Sequence, residues 1–237
     1  MKTTKRKKHN EGLVENGKVY TLEEAVSLIK KTASNKFDAS VDMQMKLNAD
    51  PTASDQVVRG TTALPHGTGK SVRVVVLTRD ESGNAAKEAG ADEVGSDELI
   101  QRIMGGWIDF DVVVATPSMM KDIAKLGRVL GPRGLMPSPK SGTVTDDLAG
   151  AVKQIKKGRI EFKMDKQSNL NASIGRISFD EKALAENGRA LMLSLMTAKP
   201  KSVKGDFVQR AHLSSTMGPG IRLDAGQLVR EVTVNES

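Results

Sequence analysis

Three consecutive hydroxyl side chains near the end of the sequence could bind a nucleic acid. Residues 212–220 are His-Leu-Ser-Ser-Thr-Met-Gly-Pro-Gly, so that Ser215 and Thr216 stand close to Gly218. Hydroxyl groups hydrogen-bond phosphates and ribose 2′-OH groups, and a glycine allows the backbone to come close to the RNA. Taken alone, the same pattern is more typical of a polar edge strand.

The segment 127–142 is rich in glycine, proline and positive charge. It contains four Gly, three Pro and the cations Arg128, Arg133 and Lys140, without an acidic residue. Proline disfavours regular structure, and glycine lets the backbone approach another surface. Two alternatives stay open at this point: an ordered loop between domains, and a secondary contact to RNA or to another partner.

Motifs for enzymatic chemistry are incomplete or missing. The chain has no Cys and only three His, which excludes thiolate chemistry and Cys-ligated metals. Residues 66–71, His-Gly-Thr-Gly-Lys-Ser, end like a phosphate-binding loop, but Leu64 replaces its first glycine and an apolar run follows instead of a helix. We therefore interpret this segment as a flexible connection between domains. We expect no enzyme activity, cofactor, metal or small-molecule substrate.

The net charge favours an anionic partner. Lys and Arg number 36 against 29 Asp and Glu, which gives +7 at pH 7. This surplus points to nucleic acid before membrane. No apolar run approaches the roughly 18 residues of a membrane-spanning helix, and the N-terminus lacks the apolar core of a secretion signal. We expect a soluble cytoplasmic protein whose residues 1–9 form a basic tail that stays unfolded until an anion neutralises it.

The first and last parts of the chain have the pattern of helices and half-buried strands. Thr21 and Glu24 predict a capping box that opens a helix over 21–33. Residues 40–48 alternate apolar and polar side chains, as in a strand with one wet face. Similar elements are predicted after Gly158: strands at 160–164 and 170–174 around a turn near 165–168, a helix over 180–198, and strands at 203–216 and 219–224.

The middle of the chain has a different pattern. Residues 72–77 and 110–115 are nearly continuous apolar runs, typical of parallel strands covered on both faces. Helices are predicted at about 83–90, 96–105 and 117–127. Strands and helices in alternation indicate βαβ units around a small parallel sheet.

The predicted fold combines α/β and α+β domains. Residues 1–66 and 160–237 form a discontinuous α+β domain, and a small parallel-sheet, Rossmann-like α/β domain of residues 67–159 interrupts it. Two connections cross between the domains, which permits a hinge. Residues 226–237 match no pattern, and we interpret them as a flexible tail.

Several stretches together resemble one family, the bacterial ribosomal proteins L-one of the large subunit's mobile stalk. The resemblance extends from about residue 8 to 224, and its most specific part is Val112–Thr116 with Leu126–Pro137. Supporting stretches follow in matching order: Lys36-Phe37-Asp38, Val58–Thr61, Leu64–Gly67, Gly158–Phe162 and Thr216–Pro219.

This resemblance implies that the split domain is an RNA-binding domain for a stalk helix of the 23S rRNA. The family's aromatic contact falls on Phe37, and its hairpin lysine falls on Lys166. Ser168 stands where the family usually has glycine. The candidate RNA-binding residues are Lys36, Phe37, Ser40, Lys166, Asn171 (in place of a common histidine), Ser215, Thr216, Met217 and Gly218.

The resemblance also implies a role in translation. It predicts a ribosome-bound protein that helps to move and release deacylated tRNA at the exit site and that can repress its own operon by binding the mRNA leader. The expected partners are the large ribosomal subunit, 23S rRNA, exit-site tRNA and that leader. From the residues alone, a nucleotide-dependent enzyme built on 67–159 and a DNA-binding regulator remain alternatives.

Overall fold

The computed structural model describes residues 10–234 except Glu11, Asn16, Ser54 and Glu81, and of Lys140 and Val234 it describes only the backbone. The chain divides into two compact units. The outer unit consists of the segment that ends at Gly69 and the segment that begins at Ile160, and the inner unit is Lys70–Arg159. The predicted basic tail, 1–9, lies outside the described residues.

Helices and strands follow each other along the described chain with short connections. The strands are β1 Ser40–Leu47, β2 Arg59–Ala63, β3 Val74–Leu77, β4 Glu93–Gly95, β5 Val112–Ala115, β6 Arg159–Lys163, β7 Asn169–Arg176, β8 Val208–Ser215 and β9 Ile221–Leu223. The α-helices are α1 Leu22–Thr32, α2 Ser82–Glu88, α3 Asp97–Met104, α4 Met120–Ile123, α5 Gly127–Leu130, α6 Leu148–Lys156, α7 Glu181–Thr197 and α8 Ala225–Val234. Shorter 3-10 turns cover Pro117–Met119, Ala124–Leu126 and Pro139–Ser141.

The first helix begins where its capping residues predict. Glu24 N donates to Thr21 Oγ1 at 3.3 Å, and Thr21 N donates to the Glu24 carboxylate at 3.1 Å. A cap of this kind stabilises a helix by about 1 kcal/mol. The apolar face of α1, with Val26 and Ile29, is buried in the core of the outer unit.

The outer unit is built on an antiparallel sheet with the strand order β7-β1-β8-β9. Successive side chains of β1 alternate, so that Val41, Met43, Met45 and Leu47 are buried while the residues between them are not. Helices α1, α7 and α8 contribute buried side chains to the same core. The opposite side of the sheet carries the polar residues that alternate with the buried ones, and we call it the open face. Its residues are Asp42, Gln44, Lys46, Asn169, Asn171, Ser173, Arg210, His212, Ser214 and Arg222.

The inner unit is a parallel sheet with the strand order β4-β3-β5. All four residues of β3 are buried, because helices cover both faces of the sheet. Leu99 and Ile103 of α3 lie in one apolar cluster, and Ala86 of α2 and Val152 of α6 lie in the other. The predicted combination of α+β and parallel α/β folds is confirmed.

The interpretation of residues 226–237 as a flexible tail is wrong for its described part. Ala225–Val234 is an α-helix, and its Leu228 and Val232 are buried in the outer core. The Asp224 carboxylate accepts a hydrogen bond from Gln227 N at 2.9 Å, which caps the start of this helix. Burial of the apolar side chains holds the segment in place.

One local prediction needs correction, and another is confirmed. Residues 117–127 form alternating 3-10 and α turns instead of one helix. Their buried residues Met119, Ile123 and Leu126 keep helical spacing, so periodicity could not distinguish the two kinds of turn. The turn after β6 is present, with Asp165 N donating to Asn169 O at 2.8 Å. However, β6 pairs with β2, whereas β7 pairs with β1.

The glycine-rich segment 66–71 is fixed at its start. Asn187 on α7 is fully buried, and its Nδ2 donates to Gly67 O at 3.0 Å and to Ile174 O at 2.8 Å. The Asn187 Oδ1 accepts from His66 N at 3.1 Å. The sequence predicts flexibility for the whole segment, whereas these bonds tie its first residues to the outer unit.

Candidate nucleic-acid interface

The start of β1 and the end of β8 bring together residues that are far apart in the sequence. Thr216 N donates to Ser40 O at 3.0 Å, which extends the pairing of the two strands. Asn35, in the connection between α1 and β1, donates from its Nδ2 to Thr216 O at 2.7 Å. These bonds hold the segment after α1 against the segment after β8.

A tight turn follows β8 and projects a large apolar side chain. Gly218 N donates to Ser215 O at 2.8 Å. Met217 within this turn has φ +70°, a left-handed conformation that costs a non-glycine residue about 1–2 kcal/mol. Its side chain is 63% exposed. A Cβ at Gly218 would lie 2.2 Å from Ser215 Oγ, so a larger residue there would force the Ser215 hydroxyl to move.

Phe37 lies on the neighbouring segment, and it is 55% exposed. Phe37 therefore lies outside the apolar core of the outer unit. Lys36 beside it is also exposed. An exposed aromatic ring next to a cation offers a base a stacking surface and a phosphate a charge. We call Lys36, Phe37, Ser40 and Thr216–Gly218 the Thr216 ledge.

Asp38 anchors the segment that carries Phe37. Its carboxylate accepts hydrogen bonds from Ser178 N at 3.1 Å and Ser178 Oγ at 2.9 Å, and it lies 3.5 Å from Arg176 Nη1. Desolvation acts to raise the pKa of Asp38, but the Ser178 hydrogen bonds and the Arg176 charge outweigh it and lower that pKa. The charged carboxylate therefore fixes the base of the loop and leaves Phe37 outside.

One of the predicted contact residues does not face the solvent. Ser215 is only 5% exposed, and its Oγ is buried without a hydrogen-bond partner among the described residues. A direct contact between this hydroxyl and RNA is therefore contradicted by the structure. The alternation of β8 explains the burial, because Ser215 shares a face with the buried Ala211 and Leu213.

Lys166 lies near the other end of β1, and Asn171 lies opposite the middle of this strand. Lys166 is exposed in the turn before β7, and Asn171 is exposed on β7 opposite Gln44. Lys46, which pairs with Asn169 beside this turn, stands six residues along β1 from Ser40, a distance of about 20 Å at the usual strand rise. The exposed predicted residues are thus the Thr216 ledge, the Lys166 turn (residues 165–168) and, on the open face between them, Asn171.

Ser168 takes the left-handed conformation that glycine adopts more readily. Its φ is +60°, and its Oγ donates to Ala49 O at 2.7 Å. Asp165 accepts from Asn169 N at 2.7 Å and from Gln167 N at 2.8 Å, and these bonds are the main reason why its pKa is lowered. The turn therefore keeps a glycine-like shape with serine in place.

The glycine- and proline-rich segment of the inner unit has local structure. Gly127–Leu130 is a turn of α-helix, and Ser138 N donates to Thr143 Oγ1 at 2.8 Å. Arg128 and Arg133 are exposed, and neither forms an ion pair with a described residue. The side chain of Lys140 lies outside the described part. The segment is thus an ordered loop with two available cations.

Two further kinds of site were sought in the described part of the chain. It contains no group of three or more His, Asp or Glu side chains placed to hold a metal ion. None of its helices has both the length and the apolar character needed to cross a membrane.

Comparison with known proteins places the chain in a family. The model of the ribosomal protein L1p/L10e family matches residues 29–219. Similar curated proteins include the large ribosomal subunit protein uL1 of Corynebacterium glutamicum strain R, 53% identical over 211 residues that cover 89% of both chains. That of Kosmotoga olearia is 53% identical over 228 residues, 96% of this chain and 99% of the relative. That of Bacteroides fragilis strain YCH46 is 51% identical over 223 residues, 94% and 96% of the two chains.

The matched region contains the whole inner unit and reaches into the turn after β8, and the similarity to full-length relatives extends over both units. This chain belongs to the ribosomal protein L1p/L10e family.

Proposed function

We propose that the chain is a non-enzymatic structural constituent of the large ribosomal subunit, ribosome-bound in the cytoplasm, and that it binds the stalk helix of 23S rRNA. The names of its relatives support the assignment to the large subunit. The observation that carries the assignment of the binding site is the Thr216 ledge, where exposed Phe37 and Met217 stand beside a hydroxyl and a cation. Side by side with a hydroxyl and a cation, these two side chains offer an RNA apolar and polar contacts at one place.

Binding at the ledge requires no covalent chemistry. Phe37 stacks on an unpaired base, and the Thr216 hydroxyl, which donates to Ser40 O at 3.4 Å, accepts a hydrogen bond from a ribose 2′-OH. Gly218 keeps the turn that carries Thr216 and Met217 tight, since a Cβ there would meet Ser215 Oγ. Lys36 and, at the far end of β1, Lys166 neutralise phosphates, so the affinity falls with salt.

The Thr216 ledge can be tested with Phe37→Ala and Thr216→Val in a gel-shift titration with a stalk-helix fragment. Each variant loses about 1–3 kcal/mol of binding free energy if the side chain contacts RNA. Met104→Ala is the matched control, because Met104 is 57% exposed on the inner unit and lies outside the ledge. Equal affinities for all four proteins would remove the ledge from the proposal.

We also propose that the outer unit alone holds the main rRNA site. A variant in which a short linker replaces 70–159 should keep most of the affinity for the fragment, since the Thr216 ledge, Asn171 and the Lys166 turn all belong to the outer unit. Loss of binding by a variant that still unfolds cooperatively would show that the inner unit contributes.

The finer roles in translation are part of the proposal. We assign the inner unit, through Arg128 and Arg133, to the release of deacylated tRNA at the exit site. Ribosomes that carry Arg128→Gln with Arg133→Gln should release this tRNA more slowly, and an unchanged rate would contradict the assignment. Repression of the chain's own operon uses the Thr216 ledge. The mRNA leader should therefore compete with the rRNA fragment and be equally sensitive to Phe37→Ala.

A further inference from the structure

A group of positive charges lies on the part of the open face that belongs to β8 and β9. Arg210 and His212 stand two residues apart on β8 and therefore point to the same side of the sheet. Arg222 on β9 is the cross-strand partner of His212. Lys46 on β1 is the cross-strand partner of Arg210 and brings a fourth basic side chain to this face.

These side chains are close enough to affect one another. Burial and, after it, the charges of Arg222 and Arg210 lower the pKa of His212. Since like charges repel, a cluster of this kind costs free energy in the absence of an anion.

The cluster lacks acidic partners. Arg210 and Arg222 are exposed, and the guanidinium group of neither forms a hydrogen bond or an ion pair with a described residue. Asp206 and Asp224 line a groove beside them, but Asp224 caps α8 by accepting from Gln227 N. Asp42 lies on the open face across from Ser214. The positive charge of the cluster is therefore available to an outside anion.

The position of the cluster connects it with the Thr216 ledge. Arg210 precedes Thr216 by six residues on β8, which is about 20 Å along an extended strand. A helical RNA seated on the ledge is longer than this distance, so its sugar–phosphate backbone can continue over the open face.

We propose that Arg210, His212 and Arg222 form a second RNA-binding patch, which holds the phosphate backbone of the rRNA beyond the part that contacts the Thr216 ledge. The proposal rests on the proposed rRNA-binding function. Arg210 and Arg222 neutralise phosphates, and His212 between them donates a hydrogen bond. The patch recognises no base and therefore adds affinity without sequence preference.

The test uses the full chain with Arg210→Gln and Arg222→Gln combined, titrated with the stalk-helix fragment at several salt concentrations. Removal of two phosphate contacts should make the slope of log affinity against log salt shallower by about 2. The ratio of wild-type affinity to variant affinity should therefore be about tenfold larger at 50 mM salt than at 200 mM. Lys182→Gln with Lys201→Gln is the control, because it removes the same charge from two exposed residues of the outer unit that lie outside the proposed binding surfaces.

The outcomes separate this proposal from the proposed function. A wild-type slope and affinity in the arginine variant, together with weakened binding by Phe37→Ala, would overturn the patch and leave the ledge intact. Equal losses in the arginine variant and in the lysine control would also overturn it, because net charge would then explain the effect. If the wild-type protein failed to prefer the fragment over an unrelated RNA, the proposed function itself would fall.

Discussion

Replacement of Met217 by glycine should move stability and RNA affinity in opposite directions. Met217 has φ +70°, and the left-handed region costs a non-glycine residue about 1–2 kcal/mol. Glycine adopts this φ without strain but loses about 0.5–1 kcal/mol more conformational entropy on folding. Because the side chain is 63% exposed, its removal sacrifices little burial. The free energy of unfolding should therefore rise, by up to about 1.5 kcal/mol.

The same change should weaken binding to the stalk-helix fragment. A methionine that becomes fully covered contributes about 1.5–3 kcal/mol, and the exposed part of Met217 accounts for roughly 1–2 kcal/mol of this. The expected loss of affinity is about 5- to 30-fold. Urea unfolding and a gel-shift titration on the same preparation measure the two effects.

Met217→Ala separates strain from contact. Alanine removes most of the side chain but keeps the strained φ, so it should lose affinity without a gain in stability. The reasoning would be refuted if Met217→Gly destabilised the protein, or if both variants bound RNA as tightly as the wild type. A gain in stability for Met217→Ala as large as that for glycine would show that φ is not the cause.

Three other changes test the elements that support the site. Asn35→Ala removes the 2.7 Å bond to Thr216 O, and it should weaken RNA binding by about 0.5–1.5 kcal/mol while the melting temperature stays nearly constant; a large fall in that temperature would indicate a structural role instead. Asn187→Ala leaves buried polar groups without partners, so urea unfolding should show a loss of about 2–4 kcal/mol, and a loss below 1 kcal/mol would contradict this account. The pKa of Asp38 is lower in the folded protein than its unfolded value near 3.8. The charged carboxylate therefore contributes its full stabilisation above pH 3.8, and this contribution is lost as the pH falls through the folded-state pKa. Asp38→Asn should therefore be less stable than wild type at pH 6, and urea titrations should show the difference shrinking towards pH 3; a constant difference would mean that the charge does not matter.

Local patterns in the sequence were sufficient for several elements. The capping box of Thr21 and Glu24 predicted the start of α1, and the period of two in β1 predicted which of its residues are buried. These signals depend on residues that are near neighbours in the chain, so they can be recognised without knowledge of the fold. The same alternation places Ser215 on the buried face of β8. The interpretation of the three consecutive hydroxyls as one RNA-binding motif did not take this alternation into account.

One strand had no local signal. Strand β2, Arg-Gly-Thr-Thr-Ala, lacks apolar alternation, and its pairing with β6 decides its conformation. Tertiary contacts override weak local preferences in such segments. Helix α8 differs, because its sequence did carry a local signal: Asp224 stands at the capping position, and Leu228 and Val232 lie four residues apart on one helix face. Packing of these two side chains into the outer core stabilises the helix.

The sequence by itself determined the kinds of element, the parallel sheet in the middle of the chain, the positive charge and the absence of thiol chemistry. Only the tertiary structure decided that Asn35 and Ser40 meet Thr216, that Phe37 lies outside the core, and that unpaired arginines share one face of β8 and β9. Element type follows from interactions among near neighbours in the chain. The binding surface depends instead on strand register, which joins residues more than a hundred positions apart.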